Sequence, residues 1–364
     1  MNLPDARLFP TAVIGSLPRP RWVWEIVEDR VHGRIESDAF ERRLDDAVRE
    51  AIQLQERAGL DVISDGEWRR ENYARVFADS IGGFQRGQFQ RGALTLEAVV
   101  VERLDVRGPI VCAAADFLRR NTDRKVMVAL PSPCTISDLM WHPELSTPVY
   151  PSREAFVEAC IPILRDEIRA LDRVGVDVVQ LDEPLLPRLA SPSTYYPEGE
   201  KALPAAVELS VRSINAVADG LDGIDLTVHL CHAYGGEYHA TPGAAELLQS
   251  AVERFQVNRL AMEFNSTVAQ SLQCLDAFPA DKLLGLGVID PKNSDVETPE
   301  LIVERAERAL HSVDKERLVL NPDCGFATTA RRSGDLDTAY RKLAALCSAA
   351  KTLRKRYGNP AAIE

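Results

Sequence analysis

Short apolar runs rich in β-branched residues alternate along this chain with longer stretches whose apolar positions recur every three or four residues. Eight such runs stand out: Ala12–Gly15, Asp61–Ser64, Val126–Leu130, Asp177–Leu181, Leu226–Leu230, Arg259–Phe264, Leu284–Ile289 and Arg317–Leu320. Runs apolar on both faces suit a buried parallel sheet. Between them, Phe40–Ala58, Arg153–Val174, Ala202–Ala218, Pro299–His311 and Asp335–Lys355 carry helical periodicity. In the first of these, Leu44, Ala47, Ala51, Leu54 and Ala58 share one face, and Gly59 stands at a C-cap position.

Strands alternating with helices are βαβ units. Eight of them, with no Gly-x-Gly-x-x-Gly fingerprint after the first strand, predict a (β/α)8 barrel rather than an open dinucleotide-binding sheet. The segment Arg57-Ala-Gly-Leu-Asp-Val-Ile-Ser-Asp-Gly-Glu67 resembles Arg173-Val-Gly-Val-Asp-Val-Val-Gln-Leu-Asp-Glu183, an internal repeat of helix end, glycine turn, strand and terminal acids. No Pro/Gly/Ser-rich linker divides residues 1–364, so a single domain is expected. Residues 73–124 are too long for one crossover and read as an insertion. Its Thr95–Val106 part looks like extra strand, a hairpin over part of the barrel mouth.

Composition narrows the function. The net charge of −12 disfavours a nucleic acid or an anionic membrane surface as general partner. No window approaches the ~18 apolar residues of a membrane span, and the N-terminus lacks a signal-peptide pattern. Seven scattered cysteines argue against a disulfide framework and for reduced thiols, hence a cytoplasmic protein. The sequence leaves a homo-oligomer open.

Barrel enzymes build their sites where strands end. The ends here offer Ser16; Asp65 and Glu67; Ser132; Asp182 and Glu183; His229, Cys231 and His232; Glu263 and Asn265; Asp290 and Lys292; and Asn321, Asp323 and Cys324. His229 and Cys231 are two residues apart, so on a strand both side chains face one way and can reach one metal, while His232 faces the other. With Glu263 and Cys324 they complete a nitrogen, two-thiolate, carboxylate set that suits Zn²⁺. Such a site is electron-rich. It suits activation of a substrate thiol for S-alkylation better than hydrolysis. Glu263, the hard ligand, is the one a substrate thiolate would replace. Several carboxylates on one rim are costly without a cation. Glu67 and Asp182 are therefore candidates to bind a substrate ammonium, although strand-end acids often only satisfy backbone donors. Gly15 lets the backbone approach a ligand.

The motifs Ile14-Gly-Ser-Leu-Pro18, Asp65-Gly-Glu67, Gln180-Leu-Asp-Glu-Pro184, His229-Leu-Cys231, Met262-Glu-Phe-Asn-Ser266, Leu286-Gly-Val-Ile-Asp290 and Asn321-Pro-Asp-Cys-Gly325 resemble, in order, those of the catalytic barrel of cobalamin-independent methionine synthase. The resemblance spans nearly the whole chain. It implies a zinc-dependent methyl transfer from methyltetrahydrofolate or another carrier to a small thiol, most simply homocysteine. It implies His229, Cys231, Glu263 and Cys324 as zinc ligands. Ile14, Gly15 and Ser16 would meet the amino-acid carboxylate, and Glu67 and Asp182 its ammonium. Three departures stand out. The chain has no room for the second barrel of the full-length enzymes. The basic folate segment has no counterpart at Glu102–Pro109. Lys292 stands where the family has a proton-relay histidine, beside Asp290. A rival reading keeps the zinc thiolate but opens an epoxide with coenzyme M, which Lys292 would suit; another is a metal-free decarboxylase of the uroporphyrinogen type, against which the four ligands speak.

Overall fold

A computed structural model describes residues 7–190, 196, 199–231, 242–264, 272–327 and 335–358. The fold is α/β. Its main sheet has seven strands in the order β1 (Val62–Ile63), β4 (Lys125–Pro131), β5 (Val178–Asp182), β6 (Asp225–Leu230), β7 (Arg259–Met262), β8 (Leu283–Ile289) and β9 (Leu318–Pro322). β2 (Ile81–Arg91) and β3 (Leu94–Val106) form a separate antiparallel hairpin. Each of the last seven apolar runs is thus a strand. The first contributes bridges rather than a strand: Thr11 pairs in parallel with Leu320, and Ala12 with Val62.

The sheet is parallel where its ladders are defined, β1 on β4, β5 on β6 and β8 on β9. Residues 178–182 and 283–289 are buried at every position, as the unbroken apolar runs require. All five predicted helices form, within three residues at either end: Ser37–Ala58, Arg153–Arg173, Gly199–Ala218, Pro299–Ala309 and Leu336–Tyr357. Helix ends follow local chemistry. Ser152 and Thr298 cap their helices by accepting from Ala155 and Leu301 N–H groups. Gly59 ends Ser37–Ala58 at φ 94°, and Gly175 takes φ 84° after Arg153–Arg173. The internal repeat is therefore a repeated helix-stop and strand-start.

The chain folds into two compact units. One comprises residues 1–69, 117–127 and 261–364, and its core includes Ala47, Ile52, Leu286, Leu320, Leu346 and Leu353, all at most 1% exposed. The other comprises residues 70–116 and 128–260. There the hairpin buries Leu96, Ala98, Val99 and Val100 and leaves the polar side of β2 exposed. Phe84 of β2 meets Phe77 and Phe156 edge-on at ring distances of 6.1 and 6.2 Å, which anchors the hairpin to the helix Arg153–Arg173.

Candidate functional site

The ligating atoms of His229, Cys231 and Cys324 lie within 4.8 Å of one another, and all three residues are buried. His229 is on β6, Cys231 directly follows that strand, and Cys324 follows β9. The two-residue spacing read from the sequence thus delivers the His229 and Cys231 side chains to one place. No described cysteine is in a disulfide; Cys274, His232 and Asn265 fall outside what is described of side chains.

Glu263, the fourth expected ligand, lies outside that group of three. Its side chain is 1% exposed, and its Oε1 accepts from Lys292 Nζ at 2.5 Å. Burial works against the Lys292 ammonium, but Glu263 outweighs it, so the lysine is held above its ordinary range. It is a cation here, unlike the neutral relay that a histidine can provide. Asp290 builds the turn that presents Lys292: its Oδ1 accepts from the Lys292 N–H at 2.7 Å and its Oδ2 from the Asn293 amide at 2.7 Å. The Asp290 N–H in turn donates to Glu297 at 2.8 Å, and Glu297 accepts from Lys342 Nζ at 2.8 Å.

Asp323 ties the neighbouring ends together. Its N–H donates to Ile289 O at 2.9 Å, and its Oδ1 accepts from Phe264 N–H at 3.1 Å. A Cβ on Gly287 would overlap that oxygen, so the buried acid requires glycine at this position on β8.

Ser16 and Glu67 sit in the same unit, both buried. Ser16 Oγ accepts from Ala327 N–H at 3.1 Å, and its carbonyl accepts from Phe326 N–H at 2.9 Å. A Cβ on Gly325 would overlap Ser16 Oγ. The Gly that follows Cys324 is what lets that segment press against the Ile14-Gly15-Ser16 turn. Gly15 O accepts from Ser64 Oγ at 2.7 Å, and Ile14 is 5% exposed. Glu67 has φ 58°, a conformation that costs a non-glycine residue ~1 kcal/mol or more and clusters at functional sites. Its N–H donates to Asp65 Oδ1 at 2.9 Å, and its carbonyl accepts from Arg19.

Asp182 is the register partner of His229 across the β5–β6 ladder. Register partners in a sheet project to the same face, so the carboxylate stands beside the histidine. Gln180 Nε2 donates to Asp182 Oδ1 at 2.8 Å and fixes its orientation. Glu183 points elsewhere: it is fully buried, with Oε2 accepting from Ser132 at 2.7 Å and Ser210 at 2.9 Å. Its role is in the packing beneath the strand end.

Sequence reasoning missed Lys342 and the fixed place of Asp323. Lys342 had a legible signal. It stands at helical spacing among Ala339, Leu343 and Leu346 on the buried face of its helix, where a lysine needs a partner.

The sequence pattern of the family described as "Cobalamin-independent synthase, Catalytic domain" matches residues 9–351. The methionine synthase of Pyrococcus abyssi is 30% identical over 98% of this chain and 95% of its own length. That of Saccharolobus solfataricus is 28% identical over 96% of each. A B12-independent methionine synthase from Shewanella sp. W3-18-1, solved in complex with selenomethionine, shares the fold with a TM-score of 0.78 at 24% identity, over 96% of this chain and 98% of that one. The chain belongs to the cobalamin-independent synthase catalytic-domain family.

Proposed function

We propose that this enzyme transfers a methyl group to the sulfur of homocysteine, giving methionine, and that it does so with zinc held by His229, Cys231 and Cys324. The observation that carries this reading is the buried group of one imidazole and two thiols. Its donor set fits zinc. Tetrahedral Zn–S bonds of about 2.3 Å put sulfurs about 3.8 Å apart, so ligand atoms no more than 4.8 Å apart need only a small contraction. When bound, the metal would keep the substrate sulfur as a nucleophilic thiolate at neutral pH. Glu263 is the exchangeable fourth ligand in this reading. Lys292, which pairs with Glu263, would hold that carboxylate whenever it is off the metal and so balance a charge otherwise buried and alone.

The remaining residues bind and orient the amino acid. Glu67 and Asp182 take the ammonium; both are buried carboxylates whose backbones are fixed by Asp65, Arg19 and the β5–β6 ladder. The Ile14-Gly15-Ser16 turn takes the carboxylate. Asp290 positions Lys292 through the turn described above rather than touching substrate. The scaffold for this arrangement is a closed eight-stranded barrel forming a single domain, with residues 73–124 inserted. The bridges of Thr11 to Leu320 and of Ala12 to Val62 support closure, because the first run then lies between β9 and β1. The methyl donor is methyltetrahydrofolate or another small methyl carrier. The site of action in this reading is the cytoplasm; no helix among the described residues is long and apolar enough to cross a membrane.

Metal analysis with zinc-edge X-ray absorption tests the proposal. One zinc per chain with about two sulfur ligands, rising to three on adding homocysteine, is the expected result. Protein prepared with zinc present throughout that retains no stoichiometric metal, or whose sulfur count ignores homocysteine, overturns it.

A further inference from the structure

The unit formed by residues 70–116 and 128–260, which holds Cys231, also holds a cluster of cations and phenols with no task in the scheme above. Asp138 is its one deeply buried acid, with 2% of its side chain exposed. Both of its oxygens are taken. Oδ1 accepts from Arg91 at 2.7 Å and lies 3.6 Å from Arg153, and Oδ2 accepts from the Tyr196 hydroxyl. One carboxylate thus already answers two guanidinium groups and a phenol. A third guanidinium, Arg188, stands half-buried on the short helix Leu185–Ala190, which follows Asp182 by two residues. It lies within electrostatic reach of Tyr73, Tyr196, Cys231 and Asp138. No carboxylate of the described residues comes within ion-pairing distance of it. The Tyr73 hydroxyl, within reach of Asp182 and Cys231, is buried and has no hydrogen-bond partner among the described residues.

Among the described residues the Arg188 guanidinium has no carboxylate and the buried Tyr73 hydroxyl no acceptor, so both keep N–H or O–H donors to offer. Their natural complement is an oxyanion, which a planar guanidinium engages through paired N–H donors. We propose that Arg188 and the Tyr73 hydroxyl form an anion subsite next to Cys231 that receives a carboxylate or phosphate group of the methyl donor. This rests on the methyl-transfer reading. There the acceptor's carboxylate is already met at Ser16, while the donor must bring its methyl carbon to a sulfur held beside Cys231.

Calorimetric titration of the zinc-loaded protein with p-aminobenzoylglutamate, inorganic phosphate and homocysteine in turn tests it. Wild type should bind one of the two anionic probes, and which one binds distinguishes a carboxylate tail from a phosphate. Arg188→Met should weaken that probe at least tenfold, with Arg188→Lys retaining part of the affinity. Tyr73→Phe, which removes one oxygen and keeps the ring packing, should weaken it about threefold or more. Homocysteine affinity should change less than twofold in all three. Loss of homocysteine affinity in Arg188→Met and Tyr73→Phe assigns the anion to the acceptor and overturns the proposal. Wild type that binds neither probe, or variants that bind both as wild type does, overturn it as well. Failure of the methyl-transfer reading shows separately, as wild-type protein that does not bind homocysteine.

Discussion

Glu183 offers a stability test whose sign and size follow from its surroundings. It is fully buried, and burial pushes its carboxyl up to about 7 from an ordinary 4.5, against the opposing hydrogen bonds from Ser132 and Ser210. Asp138 adds to the rise, and the Leu185 N–H opposes it. Its Oε1 has no hydrogen-bond partner among the described residues, which is where an ionised carboxylate would be least well served. Below about pH 4.5 the group is neutral in both folded and unfolded chains, and the folded state has its full stability. Between 4.5 and 7 the unfolded chain has released the proton while the folded chain still holds it, so stability falls as pH rises. Above 7 the loss is complete. At ~1.4 kcal/mol per pH unit, the loss is about 3 kcal/mol. Glu183→Gln stays neutral at every pH and keeps the shape, with Ser132 and Ser210 able to turn their hydroxyls to the amide. Urea unfolding at pH 5, 6, 7 and 8 is the assay. Wild type should lose roughly 2–3 kcal/mol more than the variant across that range. Parallel curves for the two proteins would mean that Glu183 is ionised in the folded state throughout, and the reasoning from burial would fail.

Other expectations follow from single contacts. Lys342→Met leaves Glu297 buried without its 2.8 Å partner; it should cost about 3–5 kcal/mol in unfolding free energy and lower kcat by loosening the turn that carries Lys292. Replacing the partner as well, in Lys342→Met with Glu297→Gln, should recover part of the stability but not the activity, since the Asp290–Glu297 contact changes too. Cys324→Ser should reduce bound zinc at least tenfold by mass-spectrometric metal analysis while leaving the thermal transition within a few degrees. Gly325→Ala drives a methyl against Ser16 Oγ, and its KM for homocysteine should rise about tenfold with zinc content unchanged. Asp182→Asn should weaken homocysteine binding by about 1.5–3 kcal/mol, seen as KM rather than as metal loss.

The strands and the longer helices were legible because their signals are local. Continuous apolar runs such as Leu284–Ile289 and 3.6-residue periodicity such as Leu44–Ala58 do not depend on where the segment finally packs. β2 was not legible for the opposite reason. Its Ile-Gly-Gly-Phe-Gln-Arg-Gly-Gln-Phe-Gln-Arg run is polar and glycine-rich, with a single buried position, so it shows neither alternation nor an apolar block. It is a strand because β3 pairs with it. The short helices Cys112–Arg120 and Leu185–Ala190 span too few turns to establish a period.

At the candidate site the sequence read positions better than roles. His229, Cys231 and Cys324 were readable as a group because strand ends in a parallel sheet share one edge, so rank order along the chain translates into proximity. Glu263 and Lys292 were each read separately, one as ligand and one as a substituted relay. Their ion pair at 2.5 Å joins strand ends 29 residues apart, and no spacing rule could supply it. That pair changes what the lysine can do. A cation already bound to a carboxylate is a poor proton relay near neutral pH; in the proposed reading it would instead hold Glu263 whenever that carboxylate is off the metal. Lys292→Met should then raise the cost of displacing Glu263 and lower kcat without abolishing zinc binding. Lys292→His should restore turnover only in part, because a neutral imidazole does not hold the freed carboxylate. Comparing kcat and homocysteine-dependent sulfur ligation in the two variants decides it. Full activity in Lys292→Met would show that the ion pair has no part in the exchange.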